Sequence, residues 1–430
     1  MAVLNSFPPS GDSQRVLLHF LIRRHLMGNT RESPAAFEEA RAEYLFIDNA
    51  RFLSMIAIVA RHCELSLYDW SPAPLLESVI VQFRTFGVQL FFVVSAFLML
   101  DWLARHDFDV RGYWRSRIRH VAIPWLIWVG IYIALDLVRF FTIPQKRPIG
   151  LGEEIFGDIF YQAYWYVPIL LLSLAVLLLL RRYWESWRFG LVLLLLSLIY
   201  GVNQYTLWFP SAHTIAVFGY LFPAWVGVRL FQNFRAVSAW IVRLPWWLLI
   251  VLLSLSFSLT IGEDRLFESL GFPDTYNALQ ISNQFYSLVF LLVLLKLPIR
   301  LVPSFIDVRK DTYGIYLTHQ IIALVGRGTI NLVAGRNAEG KSLFVQLPTL
   351  IQDPAARVGL WFLWTVVVYV IALLTVKLLR RSPLAWIVGV KGPSLSAMRV
   401  RTDGGTDKIS QVVATRDGLT VQDALPRERT

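Results

Sequence analysis

Ten apolar segments, each about twenty residues long, recur along the sequence. A helix needs roughly 20 apolar residues to cross the hydrocarbon core of a bilayer. Composition agrees, because 56% of the residues are hydrophobic and only 17% are charged, which is too apolar for a soluble domain. The sequence therefore predicts an all-α, polytopic membrane protein with about ten transmembrane helices. The predicted spans are 46–66, 83–104, 119–141, 164–181, 189–205, 212–230, 244–262, 280–297, 312–332 and 357–379.

The distribution of basic residues predicts how these helices are oriented. The loops form two alternating sets, one with 21 Lys and Arg residues and the other with 8. Basic loops remain on the cytoplasmic side when a membrane protein inserts. An even number of spans then places both termini in the cytoplasm. Topology thus accounts for the net charge of +11, and we expect no nucleic-acid partner.

Polar segments flank the apolar part of the chain. Residues 1–45 are predicted to form a cytoplasmic leader, whose apolar stretch at 16–22 is either an interfacial helix or unordered. Residues 391–430 lack apolar periodicity and are predicted to be a disordered cytoplasmic tail. Residues 46–390 then form the transmembrane domain. The single cysteine, Cys63, excludes an intramolecular disulfide and a multi-cysteine metal site.

Few charged residues fall inside the predicted spans. Once the span ends that overlap the loops are set aside, they are Asp48, Arg51, Arg61, Asp101, Asp136 and Arg139. A charge within the bilayer costs roughly several kcal/mol, so each is a candidate functional residue. Asp136 and Arg139 are three positions apart, and a structural ion pair is the simpler interpretation for them. Asp101 is close to a span end and is expected to reach water.

One face of the first span gathers three polar residues. Arg51 and His62 are eleven positions apart, which places them on nearly the same helix face and about 16 Å apart along the axis. Asp48 belongs to the same stripe. A neutral imidazole can act as a general base, and a guanidinium suits a phosphate or carboxylate. The alternative is a buried histidine that bonds a neighbouring helix.

A second basic cluster opens the third span. Its members are Arg115, Arg117, Arg119 and His120. The cluster would suit a phosphorylated cosubstrate, because guanidinium groups bind phosphate well. Cytoplasmic topology alone also explains basic residues at this place.

Five motifs follow one another along the chain. They are Arg51 with His62; Gly87-Val88-Gln89-Leu90-Phe91-Phe92 with Ser95-Ala96-Phe97; Arg117-Ile118-Arg119-His120 before Ile123-Pro124-Trp125; Trp165-Tyr166; and Tyr313-Gly314-Ile315-Tyr316-Leu317-Thr318-His319. In order and spacing the set resembles acyltransferase family 3, over about 46–390. Gln89 replaces the usual acidic residue, Ala96 the usual glycine, and His120 the second arginine of an Arg-x-x-Arg motif.

The resemblance implies transfer of an acyl group, usually acetyl, from cytoplasmic acyl-CoA to a hydroxyl of a glycan or glycolipid of the cell envelope. The protein would then be located in the cell (inner or plasma) membrane. His62 would be a general base or a transient acyl carrier, and Asp48 would hold Arg51 in place. Arg117, Arg119 and His120 would bind the phosphates of the cosubstrate, and no metal is expected.

Other residues of these motifs are expected to contact substrate. Trp165 and Tyr166 would line the acceptor entrance, or anchor the chain at the membrane interface. Gln89 and His319 would bind substrate, with a packing role as the alternative for His319. Ser95 is interpreted as a small packing residue.

Two other functional classes remain open at this point. A transporter or flippase of an envelope precursor has the same helical composition. A sensor or assembly scaffold would need neither Arg51 nor His62. The oligomeric state is not predicted.

Overall fold

The computed structural model describes residues 44–63, 74–142, 150–162, 164–272, 277–335, 346–347 and 350–390. Of the predicted leader, only residues 44–45 fall within these ranges, and the predicted tail lies outside them. The regular elements of the described residues are all helical, which confirms the all-α class.

The α-helices are labelled in chain order. They are α1 (Leu45–His62), α2 (Pro74–Phe83), α3 (Phe86–Arg105), α4 (Val110–Arg117), α5 (Ile123–Thr142), α6 (Leu151–Phe160), α7 (Tyr166–Leu179), α8 (Trp187–Thr206), α9 (Leu221–Gln232), α10 (Phe234–Arg243), α11 (Trp246–Leu270), α12 (Ile281–Lys296), α13 (Val308–Ala334) and α14 (Pro354–Arg380). A π-helical turn, Ile118–Ala122, joins α4 to α5, and a 3-10 segment, Pro383–Val388, follows α14.

Several of these helices are suited to a bilayer. Among the described residues, five helical segments are long and apolar enough to cross a membrane: Ser78–Arg105, Val110–Val138, Trp187–Thr206, Trp246–Leu270 and Pro354–Arg380. Two apolar helices, α7 and α12, are shorter. The apolar sequence of α1 is interrupted by Asp48, Arg51 and Arg61. These helices are consistent with a membrane protein. The count of ten membrane spans stays a prediction.

The sixth predicted span differs from the structure. Two 3-10 turns, His213–Ile215 and Val217–Tyr220, occupy its first part, and α9 begins only at Leu221. Pro223 lacks an N–H group and therefore suits the first turn of a helix but not its interior. The 12 residues of α9 rise about 18 Å, which is less than the thickness of a hydrocarbon core.

Helix α1 contacts four other helices of the described bundle, α3, α12, α13 and α14. Its buried Asn49 donates a hydrogen bond to the carbonyl of Ile299 at 2.8 Å. The same side chain accepts one from the amide of Leu301 at 2.9 Å. Since both groups belong to the segment before α13, Asn49 joins the starts of α1 and α13. This pairing lets residues further along the two helices meet.

The π turn has a cause in the sequence. Pro124 has no N–H group and cannot make the usual helical hydrogen bond to the carbonyl four residues earlier. The amide of Ile123 donates to the carbonyl of Ile118, five residues earlier, which is the hydrogen bond of a π turn. Gly389 packs against this turn with a φ of +77°, and a Cβ at that position would lie 2.6 Å from the carbonyl oxygen of His120. Glycine is therefore required there both by its backbone conformation and by the close approach.

A buried ion network joins the start of α13 to the end of α14. The fully buried Asp311 forms an ion pair with Arg380 and accepts a hydrogen bond from the amide of Asp307 at 2.9 Å. Lys310 pairs with Asp307 at 3.0 Å. Partial burial acts to raise the pKa of Asp307, but Lys310 and Arg380 outweigh it and lower the pKa below its usual value. Sequence reasoning had assigned Asp311 to a loop, so this network was missed.

Candidate active site

The structure brings two histidines together that lie far apart in the sequence. His62 is the last residue of α1, and His319 lies in the middle of α13, where it is fully buried. Their ring centroids are 5.4 Å apart. Gly314 lets the same helix pack closely on α14, because a Cβ there would come within 2.7 Å of Val376. We call His62 and His319 the histidine pair.

The hydrogen bonds of His319 determine its tautomer. Its Nδ1 lies 2.7 Å from the carbonyl oxygen of Tyr316 and 3.2 Å from that of Ile315. Carbonyl oxygens only accept hydrogen bonds, so Nδ1 carries the hydrogen and Nε2 is an acceptor in the neutral ring. Within the described residues, this buried Nε2 has no hydrogen-bond partner. A buried acceptor without a partner is unusual and is a ready position for a ligand donor.

A row of aromatic rings leads from the histidine pair toward Arg51. The ring of Tyr316 lies 6.0 Å from His319 and 5.9 Å from Tyr166. The hydroxyl of Tyr166 lies 3.5 Å from Ser95 Oγ and interacts electrostatically with Arg51. Three elements, α1, α7 and α13, therefore contribute Arg51, Tyr166 and Tyr316 to a series of neighbouring side chains that ends at the histidine pair. Ser95 is a packing neighbour of this row.

Arg51 lies in a group of charges at the other end of the row. Asp48, Arg117 and Arg309 are all close enough to interact with it electrostatically. Among the described residues, however, Asp48 forms its ion pair with Arg309, at 3.4 Å from Arg309 Nε. That Asp48 holds Arg51 in place stays a prediction: its carboxylate attracts the Arg51 charge, while its hydrogen bond comes from Arg309 on α13.

The structure separates the residues of the second basic cluster. Arg117 lies over the ring of Tyr113 at 4.9 Å and faces the charge of Arg51. Arg119 is exposed, and His120 is half-buried. The π turn starts directly after Arg117 and changes the angular positions of the residues that follow. Of the predicted trio, Arg117 is the one that interacts electrostatically with Arg51, and the phosphate-binding roles of Arg119 and His120 stay predictions.

A comparison with protein families identifies the chain. The model of acyltransferase family 3, described as an acyltransferase domain, matches residues 44–351. The protein belongs to acyltransferase family 3. The match contains α1 to α13 with the whole histidine pair, and it ends before α14, whereas the motif resemblance extended to about 390. No curated protein and no solved structure matches the chain.

Two predicted substrate residues lie apart from the histidine pair of this acyltransferase. Trp165 packs with Tyr220 at 5.7 Å and with His213 at 5.3 Å, in a second hydrophobic cluster. Gln89 donates a hydrogen bond to the carbonyl of Ala278 at 3.0 Å. Their substrate roles stay predictions, because the structure surrounds each with packing partners and places neither beside His62.

Of the guanidinium groups near His62, the sequence singled out Arg61 but not Arg84 or Arg327. Arg61, Arg84 and Arg327 all interact with His62 electrostatically. Arg84 is buried, donates to the carbonyl of Ala60 at 2.9 Å and lies 5.6 Å from the ring of Trp361. The signal for Arg84 was weak, because it follows an apolar run directly and was counted as a loop residue.

Proposed function

We propose that the protein transfers an acetyl group from acetyl-CoA, on the cytoplasmic side of the cell membrane, to a hydroxyl of a cell-envelope polysaccharide or glycolipid. The histidine pair carries this proposal, since it supplies a half-buried base, His62, beside the buried imidazole of His319, whose Nε2 can accept a hydrogen bond. Membership of acyltransferase family 3 supports acyl transfer in general.

Arg51 and Arg117 would bind the phosphates of the donor. Both carry permanent positive charge, and guanidinium groups bind phosphate through charge-assisted hydrogen bonds. The tyrosine row that starts beside Arg51 would line the path of the pantetheine arm. Along α1 the distance from Arg51 to His62 is about 16 Å, which a long thin substituent such as pantetheine can cover.

At the histidine pair, His62 would take the proton of the acceptor hydroxyl. The hydroxyl oxygen attacks the thioester carbonyl carbon, an ester C–O bond forms, and the C–S bond breaks. The coenzyme A thiolate leaves and receives the proton from His62, which returns to its neutral form. His319 would accept a hydrogen bond from a neighbouring acceptor hydroxyl through Nε2 and thereby orient the acceptor.

The test uses membranes that contain the wild type or single variants, with radiolabelled acetyl-CoA and their own envelope glycans. We expect labelled glycan with the wild type and none with His62→Ala at equal amounts of inserted protein. His106→Ala is the matched control, because His106 is exposed and its imidazole bonds the carbonyl of Trp102 in the preceding turn. An active His62→Ala variant would refute the mechanism.

The same experiment separates the alternatives. A transporter or flippase would move an envelope precursor across the membrane without leaving any label on it. A scaffold would tolerate both Arg51→Ala and His62→Ala. If His62 instead carried the acetyl group as an acetylimidazole, acid-quenched wild-type protein would be labelled in the absence of acceptor.

A further inference from the structure

A polar side chain beside the histidine pair has an unused acceptor. Gln320 follows His319 on α13 and is only 5% exposed. Its carboxamide lies within hydrogen-bonding reach of the buried hydroxyl of Tyr132 on α5. Gln320 Oε1 has no hydrogen-bond partner within the described part of the chain. The contact with Tyr132 therefore uses Nε2, and Oε1 remains able to accept a hydrogen bond.

Two buried carboxylates adjoin this contact. Asp136 lies one helical turn beyond Tyr132 on α5, and Asp158 lies on α6. Each is 5% exposed, and each interacts electrostatically with the Tyr132 hydroxyl. Carboxylates are seldom buried to this degree, and they accept several hydrogen bonds at once. The side chain of Arg139, the predicted ion-pair partner of Asp136, lies outside the described residues.

Arg327 lies within electrostatic range of both Tyr132 and His62, the proposed base. It lies on α13 two turns beyond His319 and donates from Nε to the carbonyl of Ala323 at 3.3 Å. The Tyr132 hydroxyl and His62 are both within electrostatic range of this guanidinium, and Gln320 directly follows His319, whose ring centroid lies 5.4 Å from that of His62.

We propose that Tyr132, Asp136, Asp158 and Gln320 form a hydroxyl-binding subsite that holds the acceptor sugar beside His62. A sugar ring presents several adjacent hydroxyl groups, each of which donates one hydrogen bond. The subsite offers matching acceptors in two carboxylates and one amide oxygen, and Tyr132 can donate in return. This arrangement favours a polyhydroxylated ring over an acceptor with a single hydroxyl. The inference rests on the proposed acetyl transfer.

Steady-state kinetics with purified full-length protein test the subsite. The donor is acetyl-CoA, and the acceptor is the membrane glycan fraction of the producing cells after mild alkaline removal of its esters. We expect Gln320→Leu, and separately Asp136→Asn, to raise the acceptor KM about tenfold, the effect of losing one or two hydrogen bonds. The KM for acetyl-CoA should stay within about twofold of the wild type, since donor binding does not use these groups.

Matched variants control for the substitutions themselves. Gln232→Leu makes the same change on the exposed end of α9, and Tyr205→Phe removes a hydroxyl whose partner is Glu263. Neither should alter the acceptor KM. Tyr132→Phe retains the ring and removes only the hydroxyl, so it should raise the acceptor KM by a smaller factor. It tests the subsite even if Asp136→Asn folds poorly.

A competition experiment tests the preference for a sugar ring. Octyl β-glucoside should inhibit transfer by the wild type and inhibit Gln320→Leu at least about fivefold less, whereas octanol should inhibit both equally. An unchanged acceptor KM in all three subsite variants, or a shift in the acetyl-CoA KM instead, would overturn the subsite while leaving the proposed function intact. A wild type that labels no glycan would overturn both.

Discussion

Two buried polar regions of the bundle differ in how completely their hydrogen bonds are satisfied. The first, which we call the asparagine network, comprises Asn277, Asn283, Gln204, Gln284 and Ser197, and lies where α8 and α12 meet the segment before α12. Asn277 donates from Nδ2 to Gln204 Oε1 and to the carbonyl of Ser211, both at 2.9 Å. Its Oδ1 accepts from the amide of Leu279 at 2.9 Å.

The rest of this network follows the same pattern. Gln284 donates to the carbonyl oxygens of Leu279 and Ser197, at 2.7 and 3.1 Å. Its Oε1 accepts from Ser197 Oγ at 2.7 Å. Both ends of the carboxamide are thus used by the protein itself, so the network joins helices, and within the described residues none of its buried amide oxygens lacks a partner.

The second region is the histidine pair with Gln320. There, His319 Nε2 and Gln320 Oε1 are equally buried but have no partner within the described residues. Leaving a buried polar atom unsatisfied costs about 1–3 kcal/mol. Burial alone therefore does not distinguish a binding site from a structural network. What distinguishes them is whether the buried polar atoms still lack hydrogen-bond partners within the described residues.

The largest effect is expected at the catalytic base. His62→Ala should lower kcat about 1,000-fold, because general base catalysis typically contributes about 100- to 10,000-fold. Turnover of labelled acetyl-CoA into glycan measures it, and thermal unfolding should be unchanged. If the variant instead lost stability to the same extent as activity, His62 would have a structural role like that of the residues in the asparagine network.

A smaller loss is expected for the second histidine. His319→Ala should lower kcat/KM for the acceptor about 100-fold, since a misplaced acceptor loses about that much. The KM for acetyl-CoA should not move. Should His319→Gln restore most of the activity by supplying another acceptor atom, the orienting role is supported. An equal loss in donor and acceptor KM would contradict it.

The donor end gives the third test. Arg51→Ala should raise the KM for acetyl-CoA about tenfold through the loss of one charged phosphate contact. Arg119→Ala, which removes an exposed guanidinium outside the Arg51 group, should change it less than about threefold. Initial rates at varied acetyl-CoA measure both. A change confined to the acceptor KM in Arg51→Ala would mean that the two ends of the site are reversed.

The smallest effect on catalysis is expected in the asparagine network. Asn277→Ala removes the partners of Gln204 and Leu279 and should lower the free energy of unfolding by about 2 kcal/mol. Activity per folded molecule should stay within about twofold of the wild type. Chemical denaturation in detergent and the glycan-labelling assay measure the two quantities. If Asn277→Ala lost activity without losing stability, the asparagine network would not be purely structural and the contrast with the histidine pair would be wrong.

Much of the architecture was predictable from local patterns. Apolar runs reflect the solvent that each helix meets, and helical periodicity placed Arg51 and His62 on one face of α1 without any tertiary information. The motif around Tyr313 to His319 indicated that His319 matters. The start of α9 was missed, because hydropathy does not register that Pro223 favours the beginning of a helix.

The partners of the site residues were not predictable in the same way. Asp48 and Arg51 lie one turn apart on α1, yet Asp48 forms its ion pair with Arg309, 261 positions away in the sequence. Tyr132 and Gln320 carry no motif, and their contact depends on how α5 and α13 pack. Helical spacing describes neighbours within one helix, whereas these contacts are made between helices.

Membrane class, helical architecture and the acyltransferase motifs followed from the sequence alone, because each is a property of a short stretch of chain. Tertiary structure decided that His62 meets His319, that Arg117 interacts with the charge of Arg51 while Arg119 is exposed, and that one buried network is satisfied while the other keeps open acceptors. These outcomes depend on the relative placement of helices, on a π turn imposed by Pro124, and on close contacts at Gly314 and Gly389, none of which local periodicity encodes.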